Sequence, residues 1–173
     1  MYEIEQKYRI RSPEKIRQLL IKKGARKIRE GREINYLYDC GTKLLSQSSV
    51  LRLRHWGGPE GMLTFKGPRM KARFKKRMEL ETAVHWKVTE KILLSLGYSR
   101  VAEYRKQREE YQLGSAHVAL DFLKGKGWFA EIEASETQIE KLEKALGLNP
   151  SDREPRNYLE IAGLPARIIR STD

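Results

Sequence analysis

Residues 50–56 read Val50-Leu51-Arg52-Leu53-Arg54-His55-Trp56. An extended strand turns successive side chains to opposite faces, so Arg52 and Arg54 fall together while Leu51 and Leu53 fall opposite them. One such segment describes an ordinary half-exposed strand. The same alternation recurs along the chain, with both charge signs. Glu3, Glu5 and Lys7 share a face opposite Ile4, and Lys66 shares one with Thr64 opposite Leu63 and Phe65. Arg77, Glu79 and Glu81 align opposite Met78 and Leu80, and Lys106 aligns with Arg108. Asp121 closes Val118-Ala119-Leu120-Asp121, and Glu131 and Glu133 align opposite Ile132. A merely solvated face has no need of both signs in so many strands, which predicts a single charged interior. The apolar residues Ile4, Leu53, Phe65, Leu80 and Ile132 are then expected to meet helices packed outside.

Period-two alternation covers residues 2–10, 35–39, 50–56, 62–66, 77–82, 104–113, 116–123 and 128–134. Turn residues join several of these: Gly57-Gly58-Pro59-Glu60-Gly61, Gly114-Ser115 and Lys124-Gly125-Lys126-Gly127. Three amphipathic helices interrupt them. The first opens at Ser12-Pro13-Glu14, turns Ile16, Leu19 and Leu20 to one face and stops at Gly24. The second carries Val84, Val88, Ile92, Leu93 and Leu96, and stops at Gly97. The third starts at Ser135 with Gln138 completing a capping box, and turns Ile139, Leu142 and Leu146 inward. A short fourth helix after Ser151 includes Tyr158, Leu159 and Ile161. The expected fold is α+β: a closed eight-stranded antiparallel barrel with a charged interior and helices outside, closure removing the exposed edges. It inverts an ordinary small barrel, whose interior is filled by apolar side chains. Residues 1–173 are read as one domain, with a core at 2–147 and a helical extension at 150–173.

The formal charge of +12 over 173 residues requires an anionic partner. A single cysteine, Cys40, excludes an internal disulfide framework and a Cys-based zinc site, and suits a reducing compartment. The N-terminus lacks a basic-then-apolar leader pattern, and no apolar run approaches the ~18 residues of a membrane span. A cytoplasmic protein without membrane contact is expected.

The mixed charges suit a triphosphate. It carries about four negative charges, which Arg forks and Lys ammonium groups match. Paired carboxylates two residues apart on a strand can ligate Mg²⁺ or Mn²⁺, hard cations that prefer oxygen ligands. In phosphoryl chemistry the protein mainly positions groups and stabilises charge, so no nucleophilic side chain is needed.

Glu3-x-Glu5-x-Lys7 resembles the ExExK signature of the CYTH superfamily, the triphosphate tunnel metalloenzymes. The likeness continues in order through Leu51-Arg52-Leu53-Arg54, Leu63-Thr64-Phe65-Lys66-Gly67-Pro68 and Arg77-x-Glu79-x-Glu81. It runs on through Lys106-x-Arg108, Asp121 and Phe129-Ala130-Glu131-Ile132-Glu133, covering roughly residues 2–147. Block order and length are similar to the class IV adenylate cyclase-like (CyaB-type) branch. The resemblance implies that Lys7, Arg52, Arg54, Lys66, Arg77, Lys106 and Arg108 hold phosphates. It implies Mg²⁺ or Mn²⁺ on Glu3, Glu5, Asp121, Glu131 and Glu133, with Glu79 and Glu81 as further ligands or supports. Lys7 and Glu5 are the expected catalytic pair. The implied reaction converts ATP to cyclic AMP and pyrophosphate. The alternative enzyme is a triphosphatase acting on tripolyphosphate, thiamine triphosphate or a nucleoside triphosphate.

A third reading, of another class, is a non-catalytic binder of RNA or polyphosphate. It uses the basic run Arg69-Met70-Lys71-Ala72-Arg73-Phe74-Lys75-Lys76-Arg77, with Phe74 or Trp56 stacking on bases. The competing reading of that run is a mobile loop between strands. His55, His85 and His117 form no metal motif and are read as surface or packing residues, and Trp86 as packing.

Overall fold

Alternating strands with one charged and one apolar face can bury the apolar face only under helices. The computed structural model, which describes residues 2–163, shows that arrangement. The strands are β1 (Tyr2–Ile10), β2 (Arg26–Asp39), β3 (Val50–His55), β4 (Glu60–Met70), β5 (Lys75–His85), β6 (Ser99–Leu113), β7 (Ala116–Leu123) and β8 (Gly127–Glu133). They close in the order β1-β5-β4-β3-β2-β6-β7-β8, and β8 pairs back onto β1. Every neighbouring pair is antiparallel.

The helices are α1 (Glu14–Lys22), α2 (Lys43–Ser46), α3 (Trp86–Ser95), α4 (Glu136–Ala145) and α5 (Tyr158–Ala162), with a 3₁₀ turn at Pro150–Asp152. The Ser135–Gln138 capping box starts α4 as expected. Ile16 and Leu20 of α1, with Ile139 of α4 and Leu146 beyond it, cover Tyr8, Val118, Leu120 and Ile132 of the barrel wall. Full burial of Ile132 or Ile139 contributes roughly 1.5–3 kcal/mol each. On the other side Leu93 packs on Tyr36, Tyr38 and Leu53. The part of the expected C-terminal extension beyond residue 163 lies outside the described residues.

Several expectations are corrected. Val88, Ile92 and Leu96 are not inward but 52%, 53% and 67% exposed. Glu90 of α3 takes a hydrogen bond from the Tyr38 hydroxyl, and it shares its face with Trp86 and Leu93; helical periodicity therefore turns Val88 and Ile92 away. Val84 belongs to β5 rather than to the helix. Leu80 points outward but stays 54% exposed instead of meeting a helix. The basic run is mostly strand: β4 extends to Met70, β5 begins at Lys75, and Arg69 pairs with Arg77. Phe74 lies in the core at 2% exposure and offers no face to a nucleobase. Among the described residues no helix is long and apolar enough to cross a membrane.

Candidate functional site

Barrel closure turns the charged strand faces onto one cavity of about 660 Å³. Glu3, Glu5 and Lys7 of β1 line it, as do Arg52 and Arg54 of β3 and Lys66 of β4. Arg77, Glu79 and Glu81 of β5, Lys106 and Arg108 of β6, and Glu131 and Glu133 of β8 complete the wall. Asp121 of β7 is fully buried behind Lys106 and Arg108. The structure therefore brings together every charged residue that alternation assigns to the interior.

Three clusters form. Near one rim, Arg54 pairs with Glu81 at 2.9 Å and with Glu33 at 3.5 Å, while the Thr64 hydroxyl donates to Glu81 at 2.6 Å. Midway, Lys66 sits between Glu3 at 2.8 Å and Glu79 at 2.5 Å. In the third, Arg108 forks onto Asp121 at 2.7 and 2.6 Å and also reaches Glu131, Lys106 lies 3.2 Å from Asp121, and Lys7 lies 3.4 Å from Glu131. Tyr158 enters this last cluster from α5. Its hydroxyl donates to Asp121, and its ring lies under the Lys7 and Lys106 ammonium groups at 3.7 and 4.4 Å. Lys7 also donates to the Arg156 carbonyl at 3.1 Å.

The tunnel's electrostatics are uneven. Burial alone would raise the Glu131 carboxyl, but Lys7 and Arg108 outweigh it and hold the group well below the carboxylate range. Glu3 and Glu133 go the other way. Burial raises Glu3, with Glu79 adding to the effect; burial raises Glu133, with Glu3 adding. Burial, reinforced by Lys7, lowers the Lys75 ammonium.

Among the described residues no three potential ligand side chains converge as a preformed metal cage. The donor chemistry nevertheless fits a hard cation. Glu5 lies directly across from Glu133 in the β1–β8 register, and a bound cation would offset the burial, reinforced by neighbouring carboxylates, that raises Glu3 and Glu133. By contrast, Asp121 and Glu131 already satisfy Lys7, Lys106 and Arg108.

Several interior residues escaped the sequence reading. Glu33 and Lys75 each stand two residues outside a recognised strand segment, before Asn35 and Arg77, so longer strands would have exposed them. Glu33 is wholly buried between Lys106 at 3.4 Å and Arg54. Lys75 lies 3.7 Å from Glu5. No local signal marked Tyr158 as an interior residue. His55 does pack, stacking on Trp86 at 4.0 Å, whereas His117 stands on the tunnel lining.

The family profile described as CYTH domain matches residues 1–151. The chain belongs to the CYTH family. A protein of Methanocaldococcus jannaschii, provisionally named an adenylate cyclase, is 28% identical over 176 residues, spanning 95% of this chain and 100% of that one. A solved Vibrio parahaemolyticus structure, also provisionally named an adenylate cyclase, superposes with TM-score 0.82 at 26% identity, covering 94% of this chain and 98% of its own. A Hippeastrum protein, provisionally named an adenylyl cyclase and described as having a dominant triphosphatase activity, superposes with TM-score 0.69. Its 17% identity, over 96% of this CYTH chain and 98% of its own, carries the fold alone.

Like charges crowded in a CYTH tunnel should make the protein respond strongly to ligand. Tripolyphosphate with Mg²⁺ or Mn²⁺, at about 100-fold over its dissociation constant, is expected to add about 2.7 kcal/mol of stability. Thermal denaturation reads this directly. An unchanged melting temperature at saturating ligand would count against the whole site.

Proposed function

We propose that this CYTH chain is a divalent-metal-dependent enzyme acting on a triphosphate, and that its reaction converts ATP to cyclic AMP and pyrophosphate. The observation that carries the first part is the closed tunnel in which buried Lys7, Lys66 and Lys106 stand beside Arg52, Arg54 and Arg108. Fixed donors in a water-poor site match developing phosphate charge without reorganising. Lys7 and Lys106, 2% and 3% exposed, meet the phosphates as point charges, and the arginines as forks. Glu3, Glu5 and Glu133 hold the metal, Glu79 keeps Lys66 in line beside Glu3, and Asp121 and Glu131 fix Arg108 and Lys7. Bound Mg²⁺ or Mn²⁺ supplies charge neutralisation on the phosphate oxygens.

Cyclisation forms the bond from ribose O3′ to the α-phosphorus, breaks the bond from that phosphorus to the β-bridging oxygen, and releases the hydroxyl proton. Hydrolysis uses the same clamp with water attacking the γ-phosphorus. The names of the M. jannaschii and V. parahaemolyticus relatives favour cyclisation; hydrolysis stands as the second reading because the same phosphate and metal contacts serve both reactions.

Incubation with ATP and Mn²⁺ is expected to yield cyclic AMP and pyrophosphate. Inorganic phosphate without cyclic AMP, with faster turnover of tripolyphosphate or thiamine triphosphate, replaces cyclisation by hydrolysis. Tight polyphosphate or RNA binding with no chelator-sensitive turnover would leave the non-catalytic binder instead.

A further inference from the structure

The two ends of the tunnel differ. At the end where β1 finishes and β8 begins, α5 lies across the barrel and Tyr158 fills the interior beside Phe129, 6% and 0% exposed. A triphosphate seated on Lys7, Lys66 and the arginines cannot extend an organic group past that helix. The group must leave through the opposite rim, where β3 ends and β2 begins.

At that rim stands a different chemistry. Trp56 directly follows β3, is half-buried and lines the cavity next to Arg54. The Arg29 guanidinium of β2 lies 3.7 Å from the centre of its ring, and that of Arg54 5.4 Å away. The indole Nε1 is shielded from solvent and has no acceptor among the described residues. Arg29 itself is lightly held: it is 44% exposed and reaches Glu110 only at 3.9 Å, a surface pair of little strength. An indole face covered by a displaceable guanidinium is a slot for a flat ring, since bases stack on aromatic faces and on Arg planes alike.

The geometry points to Trp56 and Arg29 as the subsite for the group carried on the α-phosphate, and to a nucleobase or comparable planar heterocycle as that group. This rests on the reading of the tunnel as a triphosphate site and deepens it, because phosphate contacts alone treat ATP and tripolyphosphate alike. The slot is the part of the tunnel that tells them apart. It also orients the substrate, with the ring at the open rim and the terminal phosphate towards Tyr158.

The test compares ATP with tripolyphosphate in wild type, Trp56→Ala, Trp56→Phe and Arg29→Ala, all with Mn²⁺, by calorimetric titration. The ratio of ATP to tripolyphosphate affinity is expected to fall about tenfold in Trp56→Ala, the loss of one stacked base. It should fall less in Arg29→Ala and be largely restored in Trp56→Phe, which keeps an aromatic face. An unchanged ratio in Trp56→Ala, or an equal loss of both ligands, overturns the subsite while leaving the triphosphate site standing. Failure of the wild type to bind either ligand removes the tunnel reading itself.

Discussion

Lys7→Ala is expected to lower turnover of ATP or tripolyphosphate by about 10²-fold or more, the scale of removing one preorganised transition-state contact. Lys7 is 2% exposed towards the closed end of the tunnel, with Glu131 at 3.4 Å, the Arg156 carbonyl at 3.1 Å and the Tyr158 ring at 3.7 Å from its ammonium. Those partners hold the charge where a phosphate would meet it, so little reorganisation accompanies reaction. Glu131 keeps Arg108 when Lys7 is removed, which limits the cost to the fold. Melting curves recorded beside steady-state rates separate the two effects. A loss under threefold in a folded variant would remove Lys7 from the chemistry. Lys7→Arg tests geometry as well as charge, because the larger planar fork cannot take the place of a compact ammonium. It should recover only part of the rate.

Glu33→Gln is expected to destabilise the protein by about 3–5 kcal/mol, the usual cost of leaving buried cations without their counter-charge. Glu33 is 0% exposed, lies 3.4 Å from Lys106 and 3.5 Å from Arg54, and accepts a hydrogen bond from Asn35 at 3.0 Å. Burial opposes its ionisation, but Lys106, Arg108, Arg54 and Arg52 together hold the carboxyl far below its ordinary value of 4.5. A depressed carboxylate stabilises the fold above its unfolded pKa and loses that contribution as pH falls towards the folded one. The gap between wild type and Glu33→Gln should therefore be full at neutral pH and shrink on acidification below about 4.5. Denaturant titrations from pH 7 to 3 measure it. A gap independent of pH would mean that shape rather than charge is at stake. Added triphosphate should rescue the variant in part, since its oxygens restore counter-charge to Lys106 and Arg54.

Much of the barrel is legible in the sequence because a strand's side-chain period is two. Arg52 with Arg54, Glu3 with Glu5 and Lys7, and Glu131 with Glu133 are assigned to one face by spacing alone, and the closed barrel turns that face inward. The Gly24 stop of α1 and the Ser135–Gln138 box of α4 are equally local and came out where the sequence places them, whereas α1 starts one residue late, with Pro13 rather than Ser12 at its N-cap. Period two names the face of a residue but not its partner. That Lys66 meets both Glu3 and Glu79, or that Arg54 meets Glu33, depends on register across strands far apart in the chain. The apolar stripe of α3 misled for a related reason: the Tyr38–Glu90 hydrogen bond and the packing of Leu93 set that helix's rotation, and both lie across a tertiary contact. Tyr158 is the extreme case. Nothing adjacent to it in sequence is charged in the tunnel's pattern, yet α5 carries its ring between Lys7 and Lys106 and its hydroxyl to Asp121. By itself the sequence determined the inward face of each strand segment it could delimit, because alternation is a property of single strands. Only the tertiary structure decided which charges meet, which rim is closed and what stands at the open one, because those follow from closing the barrel.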